Sequence, residues 1–360
     1  MNKNKKYVLI TGSDGLVGSE CVKYFADIGY EIIGIDNDSR KKFFGNDASV
    51  LWNRKVLQNS VENYKHFDED ITDKSKIEKI FNTYSSDIDL IIHAAGQPSH
   101  DWAANNPVTD FSVNANGTLN MLESFRKFSP KASFIFTSTN KVYGDNPNKI
   151  KLRENQMRFT PNDDSKFIGG INEEMSIDNT THSIFGVSKT SADLLVQEYG
   201  KYFNLKTVAF RGGCLTGPSQ SGTMLHGFLS YLLKCIALQK DYTIFGYKGK
   251  QVRDNIHSED LVKAFHEYHK NPTIGEAYNI GGGVNSNCSM LEAIKIGENI
   301  TGEKFNYKYS EIPRIGDHVW YVSDLTKFKK DYPNWKINYN VESIMDEIYT
   351  KNINRWSSKG

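Results

Sequence analysis

The run "VLITGSDGLVGSECVKYFADIG" at residues 8–29 constrains this chain most. An apolar stretch with strand character passes through Gly12, Gly15 and Gly18 into an amphipathic stretch with helical spacing. In a strand–turn–helix of this kind the first glycine permits the tight turn and the second lets a pyrophosphate approach the backbone. The third allows close helix–strand packing. The helix start then offers N–H groups and a positive dipole end to the phosphates. Leu16 and Val17 belong to that start, and Asp14 sits within the turn.

The same alternation continues along the chain. Strands are expected at 6–11, 31–36, 65–68, 88–93, 132–138 and 206–211, and helices at 16–28, 73–84, 102–127 and 185–203. Strand followed by helix, repeated, gives right-handed crossovers and a parallel sheet covered on both faces. The fold class is therefore α/β: a doubly wound parallel sheet of Rossmann type with a smaller mixed α/β substrate-binding lobe. A dinucleotide-binding domain is expected over 1–211, with 254–281 returning to it and 212–253 and 282–360 forming the lobe. Residues 144–184, rich in Asn, Asp, Lys and Gly, read as a long irregular excursion near the active site.

Composition narrows the function. Forty-four basic residues against 43 acidic ones leave a net charge of +1, which argues against a nucleic-acid surface. Apolar runs such as "LIIHAA" are too short to span a bilayer, and no secretory segment follows "MNKNKK". A cytoplasmic protein without membrane partners is expected. Cys21, Cys214, Cys235 and Cys288 form no C-x-x-C pair, and "HEYH" at 266–269 lacks the spacing of a helical zinc pair, so no metal is expected.

Asp36 ends the second strand, where a carboxylate can bind a ribose 2′-OH and repel a 2′-phosphate, so NAD is favoured over NADP. Arg40, Lys41 and Lys42 lie close by and read equally well as a solvated loop. Asn37, the Asp70–Ile71 pair of "DEDITD", and Ala94, Ala95 and Gly96 of "HAAG" complete the expected cofactor set.

In order, the glycine turn, "HAAG", "TSTNKVYG", "FGVSK" and "VRDNIH" resemble the extended short-chain dehydrogenase/reductase family over nearly the whole chain. "STNKVYGD" and the excursion after it are most similar to nucleotide-sugar 2-epimerases of the CDP-paratose/CDP-tyvelose type. The resemblance implies that bound NAD takes a hydride from a sugar carbon and returns it on the opposite face while a Tyr moves the hydroxyl proton. It implies that Thr139 steadies the sugar oxygen beside Asn140, and that Lys189 binds the nicotinamide ribose. It gives Arg253 and Arg314 the nucleotide diphosphate, with Cys214 and Thr216 in the wall beside the sugar. A homodimer or homotetramer is implied through helices like 102–127 and 185–203.

One position departs from the pattern. Phe185 stands where the Tyr belongs, four residues before Lys189, and a phenyl ring exchanges no proton. Three explanations stand side by side: a substitution made to trap substrate, a native residue with another group moving the proton, or a lost activity. For the second, Lys141 is the first candidate if burial lowers its pKa. His182, Glu173, Glu174 and Cys214 follow. A dehydratase of the same fold would need an Asp-Glu pair where this chain has Asn140 and Lys141.

Overall fold

In the computed structural model, which describes residues 5–357 apart from 225 and 315, seven strands make one sheet. Their order is Glu276–Ile280, Thr207–Gly212, Ser133–Thr139, Ile88–His93, Tyr7–Thr11, Glu31–Ile35 and Tyr64–Phe67. The pairs from Ser133–Thr139 to Tyr64–Phe67 run parallel. Continuous apolar strands follow from cover on both faces. Val8, Leu9 and Ile10 are wholly buried, as are Leu90, Ile91 and Ile92. Burying each such side chain contributes about 1.5–3 kcal/mol.

Helix Leu16–Asp27 buries Val17, Cys21, Val22 and Phe25, the stripe that its spacing requires. Helix Lys74–Tyr84 starts at Asp73, whose carboxylate accepts from the N–H groups of Ser75 and Lys76. It turns Ile77, Ile80 and Phe81 into the same core. The helix expected over 102–127 is broken. His100–Asn105 ends before Pro107, which opens Pro107–Phe111, and a π segment at Ser112–Asn116 leads into Gly117–Phe128. Proline at a first helical position removes only an N–H that would lack a partner anyway. Two helices, Ser39–Phe44 and Leu51–Ser60, fill the connection between the second and third strands.

The chain divides into two compact units. The first comprises 1–142, 184–211 and 262–278, and it carries the seven-stranded sheet. The second comprises 143–183, 212–261 and 279–360. Residues 144–183 were expected with the dinucleotide-binding domain but group with the second unit. The reason is polar stitching: Gly144 O accepts from His318 Nε2 at 2.8 Å, Arg158 pairs with Glu292 at 2.6 Å, and Ile171 bridges Ser323. Residues 254–261 also group there, through strand pairing of Val252–His257 with Cys214–Thr216 and Asn287–Ser289.

The second unit has its own core. Leu229, Leu232, Leu233 and Ile236 of helix Phe228–Ala237 gather Ile344, Met345 and Ile348 of helix Val341–Ser357. Helix Met290–Thr301 opens with a capping box between Ser289 and Glu292.

Candidate active site

The first unit presents its chemistry at the carboxyl ends of the central strands, the usual ligand-binding edge of a parallel sheet. Gly12 has φ +68°, and a Cβ there would lie 2.9 Å from the Ala95 nitrogen, so the turn and "HAAG" approach backbone to backbone. A Cβ on Gly18 would lie 2.0 Å from the Gly12 oxygen. Only hydrogen fits at either place. Gly15 caps helix Leu16–Asp27 without a side-chain bond, which leaves the N–H groups of Leu16, Val17 and Gly18 for an anion. This cradle fits a dinucleotide.

Asp36 accepts from the backbone N–H groups of Asp14 and Asp38 at 3.1 and 2.9 Å. Burial, then the neighbouring Asp14, pushes its pKa up to about 6. The Asp14 carboxylate turns into the protein. It accepts from Arg54 Nε at 2.6 Å and Tyr64 OH at 3.2 Å, while Arg54 also donates to the Asp36 carbonyl at 2.9 Å. The Asp14 carboxylate is therefore taken up inside the protein, its backbone N–H is held by Asp36 and its carbonyl by Asn53, and Arg54 holds turn and strand end together. Sequence reasoning missed Arg54 and Tyr64. Arg54 lies in the connection between the second and third strands and Tyr64 opens the third strand, and neither position carries a motif.

Asn37 donates to Asp70 at 3.0 Å and accepts from the Ser39 hydroxyl at 2.6 Å. Asp70 in turn accepts from the Thr72 N–H and hydroxyl. The side chain of Ile71 packs against Gly117 in the core. Ala94 and Ala95 donate to the carbonyl and hydroxyl of Thr11 at 3.2 and 3.1 Å. His93 lies sealed between Thr11 and Thr118, and burial drives its pKa down to about 3.

Helix Ser183–Phe203 sets Phe185 and Lys189 one turn apart, both buried. The Lys189 ammonium donates to the Thr137 carbonyl at 2.8 Å and stands 4.1 Å from the centre of the Phe136 ring. Burial lowers its pKa to about 7. It lies 3.9 Å from the point a Cβ on Gly96 would occupy. Thr139 ends the strand that carries Thr137; its Oγ1 accepts from the Lys141 N–H at 3.2 Å and donates to Asn140 at 3.4 Å. Lys141 is half-buried in the short helix Asn140–Tyr143.

Two groups near Phe185 were missed by sequence reasoning. The ring of His100 meets the Phe185 ring edge-on, with centroids 4.9 Å apart. Asn114, in the π segment, bonds Ser188 at 3.0 Å and brackets Gln97 through its N–H and carbonyl. A lone His or Asn inside a polar run leaves no periodic signal.

The second unit holds the other expected residues. Arg253 pairs with Asp317, and the Asp317 N–H donates to the Arg314 carbonyl at 3.2 Å, so one turn gathers both arginines. Arg314 itself donates to the Met224 carbonyl at 3.4 Å. Cys214 is half-buried, in no disulfide, and lies opposite Asn255. Glu173 accepts from the Asn279 N–H at 2.6 Å, Glu174 is exposed and His182 is half-buried.

A parallel sheet ending in a glycine cradle, a carboxylate at the end of the second strand and a buried lysine facing a Thr-bearing strand are the parts of a nucleotide-cofactor site. The chain belongs to the NAD dependent epimerase/dehydratase family, whose model matches residues 8–281. It is 32% identical over 350 residues to CDP-paratose 2-epimerase of Salmonella typhi, covering 95% of this chain and 98% of the relative. It is 27% identical to UDP-glucuronate 4-epimerase of Thermodesulfobacterium geofontis, covering 98% and 96%. Among solved structures, a tyrosine-to-phenylalanine mutant of UDP-glucuronic acid 4-epimerase from Bacillus cereus, in complex with UDP-4-deoxy-4-fluoro-glucuronic acid and NAD, matches with a TM-score of 0.77 at 22% identity. That match covers 97% of this chain and 99% of the other. Among the described residues no helix is long and apolar enough to cross a membrane.

Proposed function

We propose that this protein epimerises a nucleotide-linked sugar through a keto intermediate, with C2 of a CDP-linked deoxyhexose as the favoured position. One observation carries the reading: Lys189 is held by the Thr137 carbonyl, two residues before the Thr139 hydroxyl, and it lies beside the Gly96 backbone. Bound NAD would accept a hydride from a sugar carbon and return it to the opposite face.

The chain's own residues then have distinct tasks. Leu16, Val17 and Gly18 hold the pyrophosphate, Asp36 takes the ribose hydroxyls, and Lys189 takes the nicotinamide ribose. Thr139 and Asn140 position the sugar oxygen, while Arg253 and Arg314 bind the diphosphate through forked, charge-assisted hydrogen bonds. The 32% identity to a CDP-paratose 2-epimerase and the "STNKVYGD" motif support C2 and CDP over the 4-epimerase alternative. Asn140 and Lys141 speak against the dehydratase, which needs an acid/base pair there.

The reading includes a cytoplasmic location and assembly as a homodimer or homotetramer. Ile184, Val187 and Leu194 form an exposed apolar stripe on helix Ser183–Phe203, and Val108 and Phe111 are exposed on helix Pro107–Phe111. These exposed apolar side chains support association through the two helices.

The test is an NMR product assay in D2O with CDP-, UDP- and GDP-linked hexoses and deoxyhexoses. Inversion at one ring carbon without solvent deuterium there is the expected result. Recovery of every sugar unchanged would contradict the reading.

A further inference from the structure

We infer that His100 is the acid/base of this site, taking over the proton transfer that Phe185 cannot perform. The inference rests on the epimerase reading above.

Phe185 is buried, and its ring meets the imidazole of His100 edge-on at 4.9 Å between centroids, with the planes at 67°. A nitrogen-bearing ring thus lies against the phenyl ring that stands where a hydroxyl is expected. The loop that delivers it is fixed. Gln97 donates to Asp110 at 2.6 Å and to the Ser99 carbonyl at 2.9 Å, and the Ser99 N–H returns a bond to the Gln97 amide at 2.5 Å. Ser99 then caps the helix that His100 begins. The same loop passes Lys189 at Gly96. His100 therefore belongs to a rigid segment running along Lys189 and Phe185, and it is half-exposed.

Asp110, Asp193, His93 and Lys189 each hold partners of their own. Asp110 accepts from Ser188, Gln97 and Asn114. Asp193 accepts from Arg211 and Ser138. His93 is sealed inside the sheet edge, and Lys189 donates to Thr137. An imidazole both accepts and returns a proton near neutral pH, which suits a reaction that runs in two opposite halves.

In the first half the sugar O–H bond breaks and its proton passes to an imidazole nitrogen. Bound NAD would take the hydrogen on the same carbon with its electron pair, leaving a carbonyl. In the second half the electron pair and hydrogen return to the opposite face, and the imidazolium gives its proton to the carbonyl oxygen.

The test uses the full-length, NAD-loaded protein with His100→Asn, His100→Gln and the double variant His100→Asn/Phe185→Tyr. Turnover of a CDP-linked deoxyhexose should fall roughly 10²–10⁴-fold in both single variants, with bound NAD content unchanged. A phenol placed at 185 should recover at least about tenfold of that loss, and Phe185→Tyr in the His100 background should gain much less, because a base is already present there. In wild-type protein, the His100 imidazole 15N resonances should shift when the CDP-sugar is added. Single variants within twofold of wild type, a double variant with no regain, or resonances unmoved by saturating sugar would each overturn the inference. A wild type that turns over no sugar nucleotide would bring down the functional reading and this inference together. An active wild type matched by His100→Asn removes His100 alone.

Discussion

The ammonium of Lys189 donates to the main-chain oxygen of Thr137 at 2.8 Å in a buried setting. Burial lowers its pKa from 10.5 to about 7, so the folded protein binds this proton more weakly than the unfolded chain does. Stability from this group is fully present above pH 10.5 and is lost as pH falls through about 7. In cofactor-stripped protein, the Tm of Lys189→Met relative to wild type should therefore fall as pH rises from 7 to 10. Calorimetry across that range checks it, and a constant difference would contradict it.

Asp36 titrates near 6 because it is enclosed beside Asp14. In the proposed site its charged form takes the ribose hydroxyls, so NAD affinity should weaken as pH drops below about 6. Asp36→Asn should bind NAD about ten- to a hundredfold more weakly, from the loss of a charge-assisted hydrogen bond. Its affinity should also be flat across that pH range, and its preference over NADP should shrink. Titration calorimetry with both cofactors at pH 5 and 8 decides.

Arg253 and Asp317 pair within the second unit, three residues after Arg314. Arg253→Ala should weaken binding of CDP or a CDP-sugar about ten- to a hundredfold while NAD binding stays as it was. Equal affinity in the variant would remove Arg253 from the diphosphate site.

The stripe of Ile184, Val187 and Leu194 predicts the assembly state. A charged residue at its centre, Val187→Asp, should give a monomer where wild type is a dimer or tetramer. Light scattering coupled to size exclusion reads the mass directly. A monomeric wild type would refute the proposed interface.

Much of the fold was legible because it rests on backbone rules. The six expected strands and the helix after Gly15 follow from apolar period and glycine placement, and their ends shift by a residue or so. The edge strand Glu276–Ile280 was not separated from its surroundings, since "EAYNI" is short and follows a turn. The 102–127 helix was read as continuous because Pro107 sits where a new helix starts, and a single proline does not distinguish kink from restart. Site residues carried by motifs, such as Gly12, Asp36 and Lys189, could be found from spacing. Arg54 reaching Asp14 and His100 reaching Phe185 could not, because long-range side-chain pairs leave no mark in local pattern.

The most direct test of the central claim follows the fate of one hydrogen. A CDP-linked deoxyhexose carrying deuterium at C2 is turned over by wild-type protein in H2O, and the product is read by NMR. Hydride return inside the site predicts inverted product that keeps its deuterium at C2. Inverted product that has exchanged the deuterium for solvent hydrogen would contradict the account, because the carbon would then have lost a proton rather than a hydride.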